Sequence, residues 1–196
     1  DSEDNVSVTF KGGYDGILIK CNSEGKIEWA KSIGGSKTDS IQSVAECSDG
    51  GYIVGGYFYS SSINLENGVS LTNKNSNSSD GMIVKYSASG EVEWAKKIGG
   101  TSPDEILSVA ECRNGGYIVG GDFRSSSIDL GNGVSLTNKG NSDGMIIKYN
   151  ATGEVEWAEG GIGDAISVQE CSDGGYIVGG ACNYGELNLG NGVSVS

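Results

Sequence analysis

The chain has 196 residues, with 34 Gly, one Pro, no His and a formal charge of −13. Without imidazole there is no Ser-His-Asp triad, no His general base and no His-containing zinc site. Such acidity does not suit phosphate-backbone binding, and no run of about 18 apolar residues is present to span a membrane, so neither nucleic acid nor a membrane span is expected.

Ile plus Val number 32 against 8 Leu. Branching at Cβ favours a pleated surface over a helix, and abundant Gly supplies tight turns, so short strands are expected and no helix of any length. Residues 1–5 form an acidic tail, and the opening Asp1-Ser2-Glu3-Asp4 reads as a processed product or an excerpt. Strand A follows over Gly16 to Asn22, then a turn at Ser23-Glu24-Gly25, where Gly25 suits the left-handed position of a bulged hairpin. Strand B runs from Lys26 to Ile33, placing Lys20 opposite Glu28 and Ile19 opposite Trp29. Strand C is Ile41 to Cys47, the turn after it is Ser48-Asp49-Gly50-Gly51, and strand D is Tyr52 to Tyr59. A Ser/Asn/Gly-rich segment then leads onward, with a small hairpin at Glu66-Asn67-Gly68.

These elements recur. Gly50-Gly51-Tyr52-Ile53-Val54-Gly55-Gly56 returns intact at Gly115 to Gly121 and Gly174 to Gly180. Asp15-Gly16-Ile17-Leu18-Ile19-Lys20 has counterparts at Asp80 to Lys85 and Asp143 to Lys148, and Glu28-Trp29-Ala30 at Glu93 to Ala95 and Glu156 to Ala158. Counting from the Val-Ser-Leu-Thr motif, the units are 6–68, 69–133 and 134–192, and 193–196 begins a further repeat. Unit 3 departs from the others: Trp157 to Cys171 spans 14 positions against 18, which implies a B–C loop four residues shorter.

Four antiparallel strands at a fixed period indicate an all-β chain of three propeller blades. The recurring D-G-x-I-x-K-Y, G-x-V-x-W-A, D-G-G-Y-I-V-G-G and G-N-x-V-x-L-T elements resemble the bacterial β-propeller (SBBP-like) repeat family. That resemblance covers nearly the whole chain and implies a secreted or cell-surface bacterial location. Closed propellers use about four to eight blades, so three leave an incomplete ring unless the chain is extended or oligomerised. The expected partners are therefore further blades of a longer chain or other copies, two of which give six blades and which form a ring or a filament according to closure.

Acidic residues dominate the candidate sites. Asp39, Asp104, Glu105 and Asp164 fall on B–C loops, which in a propeller share a face with the D–A loops, and are candidates for binding a protein or glycan. Their bland reading is solvated loop charge. Asp15, Asp80 and Asp143 precede each strand A; a ring of these carboxylates could hold a cation such as Ca²⁺, but turn-forming bonds to backbone N–H groups are the preferred reading, and no cofactor is expected. Trp29, Trp94 and Trp157 read as packing between blades. Cys47, Cys112 and Cys171 read as small buried hydrophobes, whereas Cys21 and Cys182 could form a disulfide between the first and last blades or between chains. The main expectation is a non-catalytic extracellular interaction module. A self-assembling structural subunit and a carboxylate-based propeller enzyme acting on glycans are the alternatives.

Overall fold

Runs of β-branched residues punctuated by Asp-Gly, Ser-Gly and Asn-Gly turns fold as strands throughout. The computed structural model describes residues 6–182, 187–190 and 193–195, with the side chains of 164–166, 187–190 and 193–195 outside that description. In chain order the strands are β1 (Gly16–Cys21), β2 (Ile27–Ile33), β3 (Asp39–Glu46), β4 (Tyr52–Phe58), β5 (Ser62–Asn64) and β6 (Ser70–Thr72). They continue as β7 (Asp80–Tyr86), β8 (Val92–Ile98), β9 (Asp104–Glu111), β10 (Tyr117–Phe123), β11 (Ser127–Gly131) and β12 (Val134–Thr137). The last are β13 (Asp143–Tyr149), β14 (Val155–Gly160), β15 (Asp164–Glu170), β16 (Tyr176–Ala181), β17 (Leu187–Gly190) and β18 (Val193–Val195). No helix occurs among the described residues.

The four strands of one sequence unit do not form one sheet. The two four-stranded antiparallel sheets have the orders β3-β4-β7-β8 and β9-β10-β13-β14. Each joins strands C and D of one unit to strands A and B of the next. Burial explains the choice. β7 is buried along its whole length and β4 and β10 nearly so, so these strands belong in the middle of a sheet, whereas an A-B-C-D order would leave them at the edges. The consequence is a half sheet at each end of the array, β1-β2 and β15-β16. A small hairpin follows each strand D, β5-β6, β11-β12 and β17-β18. The first turns through Glu66, Asn67 and Gly68, all at positive φ.

The sheets stack face to face as propeller blades in an open array. β9 lies against β3, β4 and β7, and β15 lies against β9, β10 and β13. The C strands therefore neighbour one another from sheet to sheet, as inner strands of a propeller do. Ile106 and Val109 of β9 press on Gly55 of β4, where a Cβ would sit 2.7 Å from each side chain. Trp29, Trp94 and Trp157 make edge-on contacts with Tyr52, Tyr117 and Tyr176, at centroid distances of 5.7, 5.6 and 5.4 Å. Trp29 and Trp94 also lie over Gly90 and Gly153 in the next sheet. These Trp residues pack between sheets, as their repetition implied.

The A–B hairpin differs by one step from expectation. Lys20 stands opposite Trp29, and Ile19 opposite Ala30, because Glu28 is taken up in a bulge after Lys20. The Lys–Glu pairs form all the same, at 3.0 Å for Lys20–Glu28, 3.2 Å for Lys85–Glu93 and 3.1 Å for Lys148–Glu156. Lys85 is fully buried and gains two further acceptors, Asp49 at 2.8 Å and the Tyr86 carbonyl at 3.1 Å. That multiplicity is what an interior ammonium requires. Cys47 and Cys112 are buried free thiols, and burial pushes the Cys47 thiol up to about 11.

Candidate functional site

An antiparallel meander places the B–C connections and the D–A connections at the same end of each sheet. The B–C candidates Asp39 and Asp104 are buried there and are not solvated loop charges. Asp104 accepts the Gly100 N–H at 2.8 Å and the Ser125 hydroxyl at 2.6 Å on one oxygen, and the N–H groups of Arg124 and Ser125, both at 3.1 Å, on the other. Asp39 repeats the pattern with Gly35 N–H at 2.8 Å, Ser60 N–H at 3.1 Å and the Ser60 hydroxyl at 2.6 Å. Each carboxylate thus fastens a B–C loop to the D–A loop beside it. Burial pushes the Asp104 carboxyl up, against the pull of its hydrogen bonds.

Asp15, Asp80 and Asp143 accept the backbone N–H groups of Lys11, Lys74 and Lys139, closing the loop ahead of each strand A. Asp80 also pairs with Lys97 at 3.1 Å. The other oxygens of Asp15 and Asp80 are buried without a hydrogen-bond partner and lie against the Cα atoms of Gly34 and Gly99. At Gly99, a Cβ would also come within 2.9 Å of Asp104, so glycine alone lets the two carboxylates flank the chain. At Gly99 the structure therefore brings one candidate from strand A, Asp80, beside one from strand C, Asp104. Among the described residues, no three Asp, Glu or Cys side chains converge as metal ligands.

Glu105 and Asp164 behave differently. Glu105 is half-buried and faces Asp122 across the ladder; burial first, and the Asp122 charge second, push its carboxyl up. The backbone of Asp164 pairs with Ala181, which is the register position of Glu105 and not of Asp104, and its side chain lies outside the described residues. Residues 164–170 match 105–111 one for one in register, so all four positions missing from unit 3 lie in the B–C connection, and Gly163 stands where unit 2 has Asp104. Cys21, at the end of β1, and Cys182, just after β16, are both free and exposed.

The loop face holds a feature that motif reading passed over. Tyr57 and Tyr59 meet edge-on at 6.0 Å, and Tyr14 is 77% exposed. Backbone bonds bring these residues together: Tyr14 accepts from Asp39 N–H at 2.7 Å, and Tyr59 N–H donates to Thr38 at 3.0 Å. A cleft of about 480 Å³ lies here, lined by Gly13, Lys37, Thr38 and Tyr59. At the Tyr14, Tyr57 and Tyr59 positions, unit 2 has Ser79, Asp122 and Arg124. The available signal was departure from the repeat, whereas the motifs record agreement with it.

The fold and this face define a repeat all-β protein with propeller-type blades and a loop surface suited to interaction. The regulatory protein FlaEY of Caulobacter vibrioides is 32% identical over 144 residues, which is 74% of this chain and 15% of that protein. The uncharacterized WD repeat-containing protein L264 of Acanthamoeba polyphaga mimivirus is 26% identical over 156 residues, covering 74% of this chain and 11% of that protein. The chain thus spans a small fraction of each relative's length. No protein-family model matches the chain.

Proposed function

We propose that this chain is a non-catalytic interaction module that binds a protein partner through the loop face of its first complete blade. The supporting observation is the cluster of Tyr14, Tyr57 and Tyr59 beside Lys37, set on loops that the buried Asp39 fastens in place. Tyr brings a large contact area with little side-chain freedom to lose, and rigid loops reduce the ordering cost of binding. The names of the two relatives, a regulatory protein and a WD repeat protein, accord with a protein partner. Membership of the bacterial propeller-repeat family and a place at the cell surface belong to the same proposal and rest on the motif resemblance. Protease treatment of intact source cells should remove the protein if that location is right.

Peptide-display selection run in parallel with a glycan array tests the binding reading. Selected peptides should lose at least tenfold in affinity to the Tyr59→Ala and Tyr14→Ala variants, whose folding is checked by circular dichroism. Glycan hits without peptide hits would overturn the protein-partner reading. Binding indifferent to both substitutions would overturn the site.

A further inference from the structure

The two half sheets are complementary. In each complete sheet, strand D pairs with the next strand A in one register: Tyr52↔Tyr86 to Phe58↔Asp80, and Tyr117↔Tyr149 to Phe123↔Asp143. Among the described residues, β16 is a strand D with no strand A beside it, and β1 is a strand A with no strand D. Their side chains show the lack. Ile177 is 63% exposed where its equivalents Ile53 and Ile118 are fully buried, and Ile17 and Ile19 are exposed where Met82 and Val84 are fully buried.

Every other contact of a junction is also half present at these ends. Inside the array, the Ser48 N–H and hydroxyl donate to Glu111 at 2.7 and 2.9 Å, and the Arg113 N–H donates to Glu170 at 2.7 Å. The equivalents left over are Ser172 at one end and Glu46 at the other. Asp49 pairs with buried Lys85, and the leftover equivalents are Asp173 and Lys20. Among the described residues, Lys20 holds only Glu28 and the Cys21 carbonyl. Gly55 is pressed by Ile106 and Val109, while its equivalent Gly179 has nothing within 4 Å. Val44, the counterpart of Val109, is 52% exposed. Gly90 and Gly153 lie under a Trp of the preceding sheet, while Gly25 has nothing within 4 Å.

We infer that β16 of one copy takes β1 of a second copy as its missing strand, completing the β15-β16 sheet with a β1-β2 half. The register of the internal junctions sets Tyr176 opposite Cys21, Asp173 beside Lys20, Ser172 beside Glu46, and Val44 over Gly179. The match is one of shape, charge and ladder register together, and it does not depend on the loop-face reading. The joint is a head-to-tail contact, and repeated from copy to copy it forms a ring where the sheet-to-sheet rotation closes. If the sheet-to-sheet rotation does not close, the same joint builds a filament. Cys21 and Cys182 fall at opposite ends of this junction, since Cys182 stands opposite Asp15, so the joint needs no disulfide between them.

Native mass spectrometry of the 196-residue chain at tens of micromolar tests the joint. The expected result is dimers or higher multiples. Lys20→Glu and Asp173→Lys should each weaken association at least tenfold, and the two changes combined should restore it. Tyr176→Cys should give covalently linked chains on a non-reducing gel through Cys21, and adding Cys21→Ser should abolish them. A monomeric chain under these conditions overturns the inference. So does association that is indifferent to the charge changes and yields no Cys21-dependent cross-link. Circular dichroism and urea unfolding of each variant distinguish loss of the joint from loss of the fold.

Discussion

The segment Gly-Gly-Tyr-Ile-Val-Gly-Gly occurs three times, in two different situations. In β4 and β10 it is the second strand of a complete sheet, flanked on both edges and pressed by a neighbouring sheet. In β16 one edge is open. The central Ile is fully buried at 53 and 118 and 63% exposed at 177. Identical residues in identical local conformations therefore differ in burial because of what lies beside them. In a stacked array, burial belongs to the interface as much as to the strand, and stability is the sum of repeat and neighbour terms. The same holds for Lys85 and Lys20, which occupy equivalent positions with and without the turn of a strand D above them.

The sharpest way to break this comparison is to truncate the same side chain in both settings. Ile118→Ala should cost about 2–5 kcal/mol in urea unfolding, the range for a large-to-small change at a packed site. Ile177→Ala should cost less than about 0.5 kcal/mol at concentrations where copies are separate. A similar loss at both sites would mean that the open edge is covered within a single chain.

A smaller contrast is expected from adding atoms. Gly55→Val forces two methyl groups into Ile106 and Val109 and should cost about 1–3 kcal/mol. Gly179→Val meets open space and should leave single-chain stability nearly unchanged, while hindering end-to-end association.

The smallest effect should come from titration, where two carboxylates act in opposite directions. Asp49 is held below its ordinary range by its hydrogen bond from Lys85, so its contribution is present above about pH 3.9 and is lost as pH falls through the folded value. Its exposure to solvent keeps that contribution small. Asp104 is raised by burial, so the folded state holds its proton longer than the unfolded state, and stability falls as pH rises from about 3.9 through the raised value. Lys85→Met should flatten the acid-side slope, and Asp104→Asn the slope above it. Unchanged pH profiles would show that neither group titrates differently on folding.

Much of the fold was legible because each strand carries its own pattern and each turn its own Gly. The grouping of strands into sheets was not, because a repeat shows its period without showing its phase. Phase follows from burial, which puts the twice-covered strands D and A in the middle. The burial of Asp39 and Asp104 was hidden for a related reason. Their donors, Ser60 and Ser125, lie 21 residues further along the chain and only the folded loops bring them near. Asp164 matched its counterparts by motif, but it falls at the Glu105 position, and Gly163 stands where unit 2 has Asp104. The Tyr14, Tyr57 and Tyr59 cluster was invisible to motif reading because it consists of exceptions.

The straddling of units by sheets also bears on how the chain withstands cutting and pulling. A protease that nicks the connection between Ser60 and Ser79 severs one peptide bond, yet β4 and β7 remain joined by a seven-residue ladder and by the core on both sides. The fragments should stay associated until denaturant is added. Tension that draws successive units apart enters that ladder at Tyr52 and leaves it at Tyr86, which face each other at one end, so its hydrogen bonds open one after another. The joint between units is thus held by the ladder and the core, and the covalent connection beside it is the part whose loss matters least to cohesion.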